Sequence, residues 1–149
     1  LIKDYYDTGE LKSEAWVNEE QNYDGLFRSY YRSGKKWAEV IFKDGYKNSI
    51  QKIYLENGKL KEQGTFVNNI SQGLWYLNVD SINTVVLKIY KDGLEDGTAL
   101  EYRNDSLKLL SNYKEGKKDG VWDFIQLVKS GDFLPNVRSM ISHNNVITS

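Results

Sequence analysis

His143 is the single histidine of the chain and lies in the polar stretch Ser142 to Asn145. A Ser-His-Asp or Cys-His site would have to be built around it with no supporting motif nearby. Cysteine is absent, which removes thiol nucleophiles, disulfides and thiolate zinc sites together. The acidic stretch Asp92 to Asp96 offers carboxylates to calcium. That ion takes about six to eight oxygens, however, and the corresponding stretch at Lys117 and Lys118 offers ammonium groups instead. Glu95 and Asp96 are adjacent acids on a turn, where carboxylates are solvated charges rather than a glycosidase pair. The turn lysines have Asp and Glu beside them, which cancels most of the attraction to anionic lipid. These residues predict no enzyme, no cofactor and no bound metal. What remains is aromatic: 5 Phe, 4 Trp and 11 Tyr, and Tyr and Trp are the rings most enriched in binding hot spots.

The elements that position those rings are copies of one another. Tyr113 to Trp122 reads Y-K-E-G-K-K-D-G-V-W. Its turn glycine Gly116 has counterparts at Gly93, Asn69 and Gly45, at steps of 23, 24 and 24 residues. A fixed period of this size decides an architecture by itself. The aromatic before the turn recurs as Phe42, Phe66, Tyr90 and Tyr113, and the second glycine as Gly25, Gly73, Gly97 and Gly120. Phe27, Trp75 and Trp122 follow two residues on, and Tyr30, Tyr54 and Tyr102 three residues later. A glycine four residues past Tyr5, Tyr30 and Tyr54 opens the next unit.

Each unit reads as a β-hairpin. Leu60, Glu62, Gly64 and Phe66 alternate with Lys61, Gln63, Thr65 and Val67, the period of a strand. A turn over 68–72 follows, and Gly73 to Val79 forms the return strand with Gly73 and Trp75 on one face. An indole there would lie over the glycine. Short connections make consecutive strands antiparallel neighbours. The predicted fold is therefore all-β: an elongated, single-layer antiparallel meander of about five to six hairpin repeats. Residues 1–124 hold five of them. The fourth is the most degraded, with Ile82 in place of glycine. Residues 125–149, around Pro135, form a degenerate capping repeat of the same domain. Open edges leave room for edge-to-edge pairing between copies.

The pattern Tyr-x3-Gly-x-Leu-Lys, aromatic, Lys-Asp/Glu-Gly, x-x-Asp-Gly, x-Trp is carried by Tyr54 to Glu62 and Tyr113 to Trp122. It resembles the bacterial MORN-repeat variant of the YwqK-type antitoxin family, over about residues 5–124. The resemblance implies a hairpin-repeat sheet, a protein-interaction or scaffolding role, and in named family members the neutralisation of a partner toxin. The pattern is broken at Gln51 and Ala99. Tyr6-Asp7-Thr8-Gly9-Glu10-Leu11 is similar to the YD-repeat of large secreted shells, but that tract occurs once.

Lys and Arg number 20 against 21 Asp and Glu, so no summed field favours nucleic acid. No apolar run approaches the length of a membrane span. The chain starts at Leu1 inside a repeat, which points to a processed or trimmed terminus and leaves the compartment open between cytoplasm and export. Rings at repeated positions serve the fold. Trp37 stands where sister units carry Lys12, Lys61 and Lys108, Tyr76 where they carry Arg28, Lys52 and Asp123, and Trp16 where they carry Thr65 and Asn112. These three are the candidate protein-binding residues of a non-catalytic module whose partner is another protein, such as a toxin encoded nearby. A glycan or cell-wall binder and a structural scaffold are the alternatives.

Overall fold

The structure is a computed structural model describing residues 1–79, 83–104 and 106–122. The expectations for Ile82, His143 and the 125–149 cap with Pro135, and for the ring of Trp122, lie outside the described residues. Thirteen strands form one antiparallel sheet: β1 (Ile2–Tyr5), β2 (Leu11–Val17), β3 (Tyr23–Tyr30), β4 (Lys36–Lys43), β5 (Tyr46–Lys47), β6 (Ile50–Tyr54), β7 (Leu60–Val67), β8 (Ile70–Val79), β9 (Thr84–Lys91), β10 (Leu94–Glu95), β11 (Gly97–Arg103), β12 (Ser106–Lys114) and β13 (Lys117–Trp122). The order follows the sequence, with β5 paired to β4 and β10 to β9. The fold is the expected all-β open meander, with no helix among the described residues.

Two kinds of connection alternate. Asp44-Gly45, Asn68-Asn69, Asp92-Gly93 and Glu115-Gly116 all have both φ angles between 48° and 83°. Their flanking residues pair directly, as Lys43 with Tyr46 and Val67 with Ile70. Two left-handed residues make a type I′ turn, whose twist matches that of the strands it joins. The sequence pattern predicts a five-residue turn over 68–72. The turn is instead two residues long, because Asn68 and Asn69 both accept positive φ, and β8 starts at Ile70. At the opposite end of the strands lie five-residue loops over 6–10, 31–35 and 55–59. Each is closed by an amide-to-carbonyl bond, such as Tyr6 N to Glu10 O at 2.9 Å and Leu55 N to Lys59 O at 2.8 Å.

Successive units are tied at both ends. The second residue of each tight turn donates its amide to the unit before: Gly45 to the Tyr23 carbonyl at 2.7 Å, Asn69 to Lys47 at 2.9 Å, Gly93 to Ser71 at 3.0 Å and Gly116 to Glu95 at 2.8 Å. At the long loops, the Tyr6 hydroxyl donates to the Tyr30 carbonyl at 2.7 Å and that of Tyr31 to the Tyr54 carbonyl at 2.8 Å.

The expected seating of Trp75 on Gly73 is corrected. Gln63 pairs with Tyr76 and Thr65 with Gln72, so Gly64 alone stands opposite Gly73, Leu74 and Trp75. This bulge is why Gly73 is glycine: its φ is +69°, and a Cβ there would meet open space. The indole instead crosses to β7 and covers Gly64, where any Cβ would overlap its ring atoms. Phe66 and Tyr90 meet that indole edge-on at 5.0 and 5.5 Å.

One register row runs across the sheet from β1 to β12: Lys3, Glu14, Arg28, Glu39, Lys52, Gln63, Tyr76, Leu87, Leu100, Leu110. Its second half is the core. Tyr76, Leu87, Leu100 and Leu110 cluster with Leu107, and Leu87 keeps only 1% of its surface exposed. Tyr76 is 7% exposed, so its expected place on a partner surface is corrected: the leucines beside it in the row turn the slot held by Arg28 and Lys52 into interior.

Gly64→Ala should destabilise by about 2 kcal/mol, the range of overpacking, and Gly73→Ala by about 1 kcal/mol from left-handed strain alone. In a Trp75→Ala background the Gly64→Ala cost should nearly vanish while the Gly73→Ala cost persists. Denaturant melts of the four variants decide this, and an unchanged Gly64→Ala penalty without the indole would refute the seating.

Candidate functional site

The first half of the row carries charge where the second carries leucine. Lys3, Glu14, Arg28, Glu39 and Lys52 lie side by side on β1, β2, β3, β4 and β6, alternating in sign. Arg28 Nη1 is 3.7 Å from Glu14 Oε1, and its Nε is 3.9 Å from Glu39 Oε2. Lys36 Nζ reaches Glu39 Oε2 at 2.9 Å. The repeated tyrosines brace the acids: the Tyr30 hydroxyl donates to Glu14 Oε1 at 2.7 Å and that of Tyr54 to Glu39 Oε1 at 3.1 Å. The Lys36 ammonium sits over the Tyr54 ring, 5.1 Å from its centre.

Burial alone would push the Glu39 carboxyl up, but the Lys36 hydrogen bond and charge, then Tyr54 and Lys52, bring it below the usual carboxylate range. Burial raises the Tyr30 phenol, with the Glu14 hydrogen bond adding to it. Burial first and the Glu39 charge second push Tyr54 up to about 12. Glu14 and Glu39 are thus both engaged, each by a hydroxyl and a cation.

Side chains alternate along a strand, so the residues two positions from each charge share its face. Trp16, Leu26, Ile41 and Ile50 lie on one side of the charged row, with Leu26 paired to Ile41. Trp16 is 53% exposed, and Ile41 and Ile50 are exposed as well. A cavity of about 150 Å³ opens among Leu1, Glu14, Trp16, Leu26 and Arg28. Trp37 is 46% exposed, its ring 6.5 Å from that of Tyr31.

The exposure of Trp37 has a backbone cause. Ser29 pairs with Ala38 and Tyr30 with Lys36, so Trp37 is the unpaired residue of a β-bulge. Lys12, Lys61 and Lys108 fill the same unpaired place in their units. The repeat provides an outward-facing slot, and only the second unit fills it with an indole. Trp16 is exposed on the face of the charged row and Trp37 in the bulge slot beside the Tyr31 ring, while Tyr76 is withdrawn into the core. Leu26, Ile41 and Ile50 were not singled out from sequence. Alternation from Glu39 and Arg28 would have found them once those two residues were known to be cross-strand partners. Among the described residues no group of His, Asp or Glu is arranged to hold a metal ion. The arrangement offers a flat amphipathic surface.

Residues 18–44 and 47–68 match the family described as MORN repeat variant. The two matches span β3 with β4 and β6 with β7, each a return strand, a five-residue loop and the next outgoing strand. No curated protein matches the chain. Repeats of this kind make a binding or structural module.

Raised phenol pKa values carry a sign. The neutral Tyr54 is favoured in the fold, so its contribution to stability is complete below pH 10 and is lost as pH rises through about 12. Ultraviolet phenolate titration of wild type minus Tyr54→Phe should give a difference curve centred near 12. A curve centred near 10 would mean that Tyr54 is neither buried nor held by Glu39.

Proposed function

We propose that the protein is a non-catalytic binding module that holds another protein through its exposed indoles, Trp16 and Trp37. The observation that carries this reading is the exposure of Trp16, Ile41 and Ile50 on one face and of a second indole, Trp37, in a bulge slot, at places the repeat does not require to be apolar. Sister slots hold lysine at Trp37, and Thr65 and Asn112 at Trp16. Solvent-exposed indoles cost solubility, and aromatic anchors ringed by polar groups are the usual anatomy of a binding hot spot. The charged row beside them sets the orientation of whatever docks. The finer reading, supported by the resemblance to YwqK-type repeats, is an antitoxin or immunity partner whose target is a toxin encoded next to it.

Trp37→Ala and Trp16→Ala should each leave stability within about 0.5 kcal/mol of wild type. Each should weaken binding to the product of the neighbouring reading frame by about 2 kcal/mol, roughly thirtyfold. Trp75→Ala should do the reverse and lose about 3 kcal/mol of stability, as a buried ring does. Thermal melts and calorimetric titration separate the two. If Trp37→Ala unfolds the protein as Trp75→Ala does, or if neither exposed indole affects binding, the reading fails.

A further inference from the structure

We propose that Asn57 is a self-modification site: the Gly58 amide nitrogen closes onto the Asn57 carboxamide, and water then opens the ring to aspartate or isoaspartate. One backbone bond holds the step back, and local opening of the loop over 55–59 sets its rate. Asn57-Gly58 is the single Asn-Gly step of the sequence, and it falls where the sister loops carry Thr8-Gly9 and Ser33-Gly34. The loop needs its glycine, since Gly9, Gly34 and Gly58 all have φ between 80° and 98°. It does not need the asparagine.

The step needs no reagent besides water. The Gly58 nitrogen loses its proton to solvent base and attacks Cγ of Asn57. A carbon-nitrogen bond forms, the bond from Cγ to Nδ2 breaks, and ammonia departs with a proton taken from water, leaving a cyclic imide. Hydrolysis at one imide carbonyl gives aspartate, and at the other it gives isoaspartate, in which the main chain runs through the former side-chain carbon. Asn57 and Gly58 are both exposed, so water and base reach them. A Cβ at Gly58 would meet nothing within 4 Å, so the space around the nucleophile is open.

Two hydrogen bonds act on the reacting atoms, in opposite senses. Lys59 N donates to Asn57 Oδ1 at 2.9 Å. That oxygen gains negative charge as the nitrogen attacks, so a donor already aimed at it favours the step. Gly58 N donates to the Leu55 carbonyl at 2.8 Å, and while it does so it cannot give up its proton. This bond is the guard. The same bond ties Gly9 to Tyr6 and Gly34 to Tyr31, each at 2.9 Å, so the guard belongs to the loop of the repeat and only the third loop gives it something to guard. Releasing it separates no strands and uncovers no buried core. Exposed loop amides open locally, far below the free energy of global unfolding. One net hydrogen bond corresponds to a slowing of about tenfold.

Peptide mapping by mass spectrometry after timed incubation in mildly alkaline buffer reads the outcome. Conversion of asparagine changes the mass of its peptide, whereas isomerisation at an Asp-Gly step such as Asp44-Gly45 does not. The folded protein should convert Asn57 about tenfold more slowly than the chain unfolded in urea, and the folded rate should stay flat across urea concentrations below the unfolding transition. Ser33→Asn puts a second Asn-Gly step under the same guard, and it should convert within about threefold of the Asn57 rate. Equal rates in the folded and unfolded chain would show that the Gly58 bond guards nothing. A folded rate that climbs with urea in step with the unfolded population would show that only global unfolding exposes the site. Either result overturns the proposal, as does a new Asn-Gly step at position 33 that converts in the folded protein as fast as it does in urea.

Discussion

The sheet depends on one backbone bond repeated along its edge: the amide of the second residue of a tight turn donates to a carbonyl 21 or 22 residues earlier. That amide is free to do so because its residue is left-handed, which tips the peptide out of the hairpin's own ladder and toward the preceding unit. Turn shape and unit spacing are therefore a single constraint. Asp44, Asn68 and Asp92, each first in its turn, are also bonded through their side chains to Asn18, Asn48 and Gln72 of the unit before. A change in turn length would break the amide bond and this side-chain bond together. Repeat proteins gain stability from such nearest-neighbour terms, since no unit can bury an apolar face alone.

With turn and spacing fixed, the bulges decide which side chains face where. Gly25, Gly73 and Gly97 share positive φ at the same point of the repeat, and at the other end of each hairpin an unpaired residue looks outward. An alternating strand without bulges would carry one pattern of inside and outside from end to end. With them, the level of Trp75 and Gly64 interlocks across strands while the level of Trp37 opens to water. Covering Gly64 with Trp75 removes a large apolar ring from solvent without any second layer.

The all-β meander and its period were legible in sequence because glycine and asparagine announce left-handed turns wherever they fall. Trp37 was legible for the same reason, since comparison with Lys12, Lys61 and Lys108 showed that its slot does not need an indole. Tyr76 was not. Its slot in sister units holds Arg28 and Lys52, which argues for the surface, and only the cross-strand row places it against Leu87 and beyond it Leu100 and Leu110. Adjacency of this kind comes from strands far apart in sequence, and a one-residue error at a bulge inverts it. Gly73 misled in the same way. A straight strand puts Trp75 on its own glycine, whereas the bulge sends the ring across to Gly64. Periodicity finds the repeated slot, and register finds its neighbours.

The change of character along the central row explains how one sheet can be folded and still leave apolar side chains exposed. From Tyr76 onward the row is buried and apolar, so the free energy of the fold is concentrated there. Before Gln63 the row is charged, and Glu14 and Glu39 are held by tyrosines that the repeat supplies in any case. The first half thus keeps its strands in register with hydrogen bonds and ion pairs, and its apolar side chains at Trp16, Ile41 and Ile50 are not consumed by the core. The alternating charges border the exposed apolar side chains, so this face presents charge and apolar area side by side.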